Sequence, residues 1–242
     1  LLTDIKQPTF IWGAPGVGKS CVVRQVAQER GLELIDIRAV LLDPVDLRGI
    51  PHVNGDNRAH WCVPAFLPNE GEGILFLDEL TQAPSMVQAA LYQLVLDRKL
   101  GEYTLPDGWV IVAASNRDTD RAATNRMPTP LANRFVHLEF DVDLDDWTAW
   151  ALDSDICVEI IAFLRWMPNL LHAFDPKKND EKAFPSPRSW EFVSNILKTN
   201  PPTSLEYELI AGTVGKGTAA DFTGFLRIYQ QLPDLDDLLA FP

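Results

Sequence analysis

The apolar positions fall into two regimes that change near residue 140. Before it, short β-prone apolar runs recur at 9–12, 32–37, 73–77, 109–115 and 135–140. The run Ile74-Leu75-Phe76-Leu77 is almost continuously apolar, which fits a strand buried on both faces. Helical spacing separates the runs. Over 84–97, Val87, Ala90, Leu91, Leu94 and Val95 form one face, and Pro84 suits a first helical position. Over 21–28, Val22, Val23, Val26 and Ala27 fall on one side. Strands alternating with helices predict a parallel sheet with helices on both faces. After 140 the strand-like runs vanish. Helical segments are expected near 145–153, 155–167, 188–198, 204–213 and 218–231, with a polar, Pro-containing loop over 175–187. The expected organisation is an α/β domain over 1–141 and an α-helical domain over 142–242.

Two interruptions break the α/β half. Some thirty-five weakly periodic residues separate the second and third runs, and they contain Asn54-Gly55, a strong hairpin-turn signal. A loop of that length is seldom idle in a compact domain. The second interruption, 98–108, is expected to form another hairpin beside the fourth strand.

Composition narrows the class. Of 242 residues, 46% are hydrophobic and 23% charged, ordinary for a globular chain with a sizeable core. No apolar run approaches the ~18 residues that cross a bilayer, and the first residues show no signal-peptide pattern. A chain opening on Leu is expected to lack its natural N-terminus. Three widely spaced cysteines, Cys21, Cys62 and Cys157, show no metal-ligand spacing along the chain and read as reduced thiols in a cytoplasmic protein. The net charge of −13 counts against a nucleic-acid partner, because phosphate backbones draw basic surfaces. The acidic clusters 141–146 and 234–237 read as solvated helix starts.

Gly13-Ala14-Pro15-Gly16-Val17-Gly18-Lys19-Ser20 carries the chemistry. It fits the phosphate-loop pattern G-x-x-x-x-G-K-[ST] at every fixed position, between a strand-like run and a helix-like run that opens at Cys21. Glycines let several backbone N–H groups point at one polyphosphate, Lys19 reaches the β- and γ-phosphates, and Ser20 ligates Mg²⁺. The apolar run ending in Asp78-Glu79 carries two carboxylates to the ligand-binding edge of the sheet. There Asp78 would hold Mg²⁺ and Glu79 would polarise water. Asn116 ends the fourth run on the same edge. Arg134, just before the fifth run, is a candidate for a neighbouring subunit's γ-phosphate. Arg126 competes for that role, with Arg117 and Arg121 weaker candidates. Ser186 and Pro187 predict an N-cap and first helical residue, putting Arg188 on a first turn where an anion is favoured.

Together these residues resemble the AAA+ ATPases, and within them the MoxR-like branch. The resemblance covers nearly the whole chain. It rests on 13–20 as Walker A, 74–79 as Walker B, Asn116 as sensor 1, Arg134 as arginine finger and Arg188 as sensor 2. It also rests on Asp43-Pro44-Val45-Asp46-Leu47-Arg48-Gly49, similar to that branch's helix-2 insertion, and on 96–106, similar to its pre-sensor hairpin. The resemblance implies a P-loop NTPase fold with a five-stranded parallel sheet and a small all-α lid. It implies ATP and Mg²⁺ as ligands, with Gly13 to Cys21 and Arg188 around the nucleotide. It implies a hexameric ring that remodels a protein client, often one with a von Willebrand factor A domain. Residues 52–60 and 98–108 are then candidates for client contact. A DNA-directed motor with the same core and a non-hydrolysing nucleotide-gated scaffold are the alternatives. The adenine-contacting segment that usually precedes the first strand is short here.

Overall fold

A computed structural model describes residues 6–53, 55, 58–120, 127–176, 182–229 and 231. The chain divides into two compact units, Leu1–Phe140 and Asp141–Pro242.

The first unit is built on five parallel strands: β1 (Thr9–Trp12), β2 (Glu33–Arg38), β5 (Glu72–Asp78), β8 (Gly108–Ser115) and β9 (Val136–Glu139), in the order β2-β5-β8-β1-β9. Every run expected to be a strand is one, with ends within two residues of the expected ones. Side chains alternate faces along a strand. Phe10, Leu75, Leu77, Ile111 and Ala113 therefore meet helix α3 (Ser85–Asp97) through Val87, Leu91, Leu94 and Val95. Ile11, Ile74, Phe76, Val110 and Val112 meet helix α1 (Lys19–Arg30) through Val23 and Ala27. A strand between two apolar layers needs apolar residues at both parities, hence the solid runs.

One detail of α1 differs from the sequence reading. Val22 is 37% exposed, whereas Lys19, Val23 and Ala27 are buried. The buried stripe follows strict i, i+4 spacing, and Val22 stands about 100° off it.

Both interruptions form hairpins. Helix α2 (Pro44–Arg48) leads into β3 (Ile50–Val53) and β4 (Ala59–Cys62), which pair antiparallel. Strands β6 (Lys99–Leu100) and β7 (Tyr103–Thr104) form a two-rung hairpin. A short helix α4 (Thr129–Ala132) precedes β9.

The second unit is helical: α5 (Leu144–Asp153), α6 (Val158–Trp166), α7 (Pro187–Lys198), α8 (Thr203–Val214) and α9 (Lys216–Tyr229). Phe163, Trp190 and Phe222 are fully buried and meet edge to face or tilted, with ring centroids 5.0–5.6 Å apart. Asp143 caps α5, accepting from the N–H groups of Asp145 and Asp146 at 2.8 and 2.9 Å. That explains part of the acidic cluster there. The cluster at 234–237 lies outside the described residues.

Candidate nucleotide site

Sheet order and register assemble the site. Strand β1 lies between β8 and β9 while β2 lies on the far edge, so the chain leaves β1 at a switch in strand order, where open α/β sheets bind ligands. Trp12 is level with Ser115, and Asp78 with Ala114. The next residues, Gly13, Asn116 and Glu79, therefore emerge together at one edge.

The loop after β1 is fixed at its base. Gly13 N–H donates to the Ser115 carbonyl at 3.3 Å, extending the β1–β8 pairing. A Cβ on Gly13 would stand 2.7 Å from the Phe140 carbonyl oxygen. The chain then turns through Gly16 (φ 80°) and Gly18 (φ 102°), conformations that side chains with a Cβ resist. Gly18 caps α1, which opens at Lys19 with no acidic residue in its first turn. The first N–H groups of a helix have no intrahelical partner and carry the positive end of its dipole.

Lys19 is buried and folds back over its own loop. Its Nζ donates to the carbonyls of Gly13 and Ala14 at 2.7 and 3.0 Å and to Asn116 Oδ1 at 3.0 Å. Ser20 Oγ donates to Asp78 Oδ2 at 2.7 Å, and Asp78 Oδ1 accepts from the Glu79 N–H at 3.0 Å. Hydroxyl and carboxylate together make an all-oxygen pair. No cluster of three or more His, Cys, Asp or Glu able to hold a metal is found among the described residues. Such a pair suits Mg²⁺, which keeps most of its waters and shares one or two protein oxygens with substrate phosphates.

Glu79 has left-handed backbone (φ 57°, ψ 32°), unusual for a side chain of its kind. Its neighbours hold that turn. Thr81 N–H donates to Ser115 Oγ at 3.0 Å, and the buried Gln88 amide donates to the carbonyls of Thr81 and Ala83 at 3.1 and 2.8 Å. Asp36 on β2 is pushed above the usual carboxyl value, first by burial and then by repulsion from Asp78, with Arg24 and Arg38 opposing.

Of the arginines, Arg134 is exposed two residues beyond α4, and no ion pair engages it among the described residues. Arg117 donates through Nε to Glu139 at 2.7 Å. Arg121 and Arg126 lie outside the described residues. Arg188 is exposed on the first turn of α7, behind the Ser186 cap, where Ser189 N–H donates to Ser186 Oγ at 3.2 Å. Cys21 is exposed on the first turn of α1.

Three supporting residues escaped sequence reasoning. Ser115 and Gln88 brace the Glu79 turn. His137 joins β9 to β1: the Trp12 indole N–H donates to its Nδ1 at 2.8 Å, and its Nε2 hydrogen-bonds the Ala132 carbonyl at 2.7 Å. Gln88 left a signal, a polar residue inside the apolar stripe of α3. The others left none.

The two hairpins flank a cavity of about 430 Å³ lined by Arg48, Trp61, Met86, Ala90, Gln93 and Leu100. On β3, Ile50 and Val53 are 70% and 68% exposed.

The model of the ATPase family associated with various cellular activities (AAA) matches residues 9–141. Midasin from Giardia intestinalis is 28% identical over 171 residues, which cover 66% of this chain and 4% of that protein. Among solved structures, the RuvB Holliday junction branch migration motor of Thermotoga maritima aligns at a TM-score of 0.50 with 18% identity, over 96% of this chain and 65% of that one. A lysine-to-arginine mutant of the same motor aligns at 0.51 with 17% identity, over 98% and 69%. At that identity the likeness concerns the fold. No helix among the described residues is long and apolar enough to cross a membrane.

Proposed function

This chain belongs to the AAA family of ATPases, and on that premise we propose that it binds Mg·ATP, hydrolyses it, and uses the cycle to remodel a protein client as a ring of the MoxR-like branch. The observation that carries the hydrolytic reading is the convergence of the 13–20 loop with the ends of β5 and β8: Lys19 on Asn116 at 3.0 Å and Ser20 on Asp78 at 2.7 Å.

In this reading the loop N–H groups and Lys19 bind the β- and γ-phosphates. Ser20 and Asp78 would hold Mg²⁺, which would supply charge neutralisation when bound. Glu79 accepts a proton from the attacking water as its oxygen bonds the γ-phosphorus and the bond to the bridging oxygen of ADP breaks. Asn116 orients that water. Arg134 of a neighbouring subunit spreads charge in the transition state, and Arg188 is a second phosphate cation. Phosphoryl transfer depends on positioning and charge stabilisation, which these side chains supply.

A client reading is supported by the exposed apolar residues of the β3–β4 hairpin and by the cavity between the hairpins. Such surface is costly to leave bare and suits an unfolding or docking polypeptide. A protein with a von Willebrand factor A domain is the partner proposed.

The test of hydrolysis is phosphate release from Mg·ATP by the wild type and by Lys19→Ala. Turnover by the wild type that is lost in the variant supports the reading, and equal rates overturn it. The client reading predicts that a cognate client raises turnover of the wild type and not of Trp61→Ala.

A further inference from the structure

The turn after β5 holds a shape that its own residues do not favour. Glu79 is left-handed (φ 57°), a region that a glutamate enters at a cost. Two residues on, the Thr81 hydroxyl is buried with no hydrogen-bond partner among the described residues, which adds a second local cost. Between them the chain enters a short 3₁₀ turn (Leu80–Gln82), where Gln82 N–H donates to the Glu79 carbonyl at 3.0 Å. Contacts from outside the turn must offset both costs.

Two side chains supply them. Gln88 is 3% exposed, on the buried stripe of α3 with Val87, Leu91, Leu94 and Val95. An amide is costly to bury unless its hydrogen bonds are made. Its Nε2 donates to the Thr81 and Ala83 carbonyls at 3.1 and 2.8 Å, and its Oε1 accepts from the hydroxyl of Tyr92, one helical turn on. Carbonyls only accept, so the amide NH₂ must face the turn and its oxygen the phenol. Burial pushes that phenol up to about 12, which keeps it a donor near neutral pH. From β8, the buried Ser115 accepts the Thr81 N–H on Oγ at 3.0 Å. The Ser115 carbonyl accepts the Gly13 N–H at 3.3 Å, and the next residue is Asn116, the partner of Lys19. Ser115 thus ties the Glu79 turn to the base of the 13–20 loop and to Asn116.

We propose that Gln88 and Ser115 are positioning residues for hydrolysis: gripping the turn from α3 and from β8, they hold the Glu79 backbone left-handed and so fix the aim of its carboxylate. A general base works only from the right place, and a displacement of about 1 Å costs on the order of 10²-fold in rate. The inference rests on the proposed hydrolysis with Glu79 as base. It assigns neither residue to nucleotide binding.

The test measures hydrolysis and Mg·ATP affinity in wild type, Gln88→Met and Ser115→Ala, and single-turnover hydrolysis when each change is added to Glu79→Gln. Gln88→Met keeps the length of the side chain and removes its hydrogen bonds. Ser115→Ala is the smaller deletion and carries the test if Gln88→Met does not fold. Gln88→Met is expected to lower kcat by about 10- to 10²-fold and Ser115→Ala by about threefold or more, with Mg·ATP affinity near the wild-type value. Added to Glu79→Gln, neither change lowers the residual rate further, because effects exerted through one group do not add. A merely structural role would lower the rate as much in that background as in the wild type. Wild-type kcat in both folded variants, a loss carried by affinity, or a full further loss in Glu79→Gln overturns the positioning role while wild-type turnover still supports the hydrolytic reading. A folded wild type without turnover overturns that reading, and the positioning role with it.

Discussion

Ser20 and Asp78, fifty-eight residues apart, are joined by a 2.7 Å hydrogen bond from hydroxyl to carboxylate. The bond ties the first turn of α1 to the tip of β5. A hydrogen bond to a charged acceptor contributes about 1.5 kcal/mol or more. Ser20→Ala is therefore expected to lower stability by roughly that amount in urea unfolding, and to raise the Mg²⁺ concentration needed for half-maximal turnover. An unchanged Mg²⁺ dependence would remove Ser20 from the metal site.

Glu79→Gln keeps the size of the side chain and removes the base. Turnover is expected to fall by ~10²–10⁴, the scale of a lost general base, while nucleotide affinity stays near the wild-type value. Single-turnover hydrolysis and equilibrium binding separate the two. Full turnover in the variant would assign the proton to another group.

The exposure of Arg134 suits a residue that acts on another subunit. Arg134→Ala is expected to lose turnover by about 10³ or more, on the scale of other arginine fingers. Mixing it with Lys19→Ala regenerates interfaces with both groups intact, so the mixture should exceed either variant alone. A mixture no better than its parts would return the role to another arginine, Arg126 first.

Gly13 has no room for a methyl group, since a Cβ would meet the Phe140 carbonyl at 2.7 Å and Val17 Cγ2 at 3.3 Å. Gly13→Ala is expected to cost ~1–3 kcal/mol, the usual penalty of overpacking. Thermal unfolding should show a lower midpoint, and Mg·ATP affinity should fall because the loop base shifts. A variant with wild-type values of both would show that the loop yields freely.

Two phenols, Tyr103 buried and Tyr92 half-buried, give a pH dependence with a definite sign. Tyr92 donates to Gln88 Oε1 and Tyr103 to the Pro68 carbonyl. Burial pushes both from 10.0 up to about 12, with Arg98 partly opposing at Tyr103. The folded protein thus holds these protons more tightly than the unfolded chain. Their stabilisation is complete below pH 10.0 and is lost as pH rises toward about 12. Denaturant titrations across that window should show falling stability, and Tyr92→Phe with Tyr103→Phe should flatten the fall. An equally steep fall in the double variant would assign it elsewhere.

How much was legible follows from where burial lies. The five sheet strands were visible because β5 and β8 are buried on both faces and leave solid apolar runs. The phosphate loop, Asp78-Glu79 and Asn116 were visible as a motif, and register explains why they meet. Strands β3 and β4 left no alternation, since nearly all their residues are exposed. Asn54-Gly55 was their only marker, and Asn54 lies outside the described residues. The left-handed backbone at Glu79 was invisible, because glutamate is not among the residues that favour it. Nor could a histidine in a β-prone run announce a bond to Trp12, 125 residues earlier. Tertiary pairing, not local preference, made that contact.

The 13–20 loop and Asp78 are proposed to form one Mg·nucleotide site. Isothermal titration of folded wild-type chain with Mg·ATP, or with a slowly hydrolysed analogue, tests it most directly. Saturable heat at one nucleotide per chain, abolished in Lys19→Ala and dependent on Mg²⁺, is the predicted result. No heat from well-folded wild-type protein, or equal heat from Lys19→Ala, would contradict it.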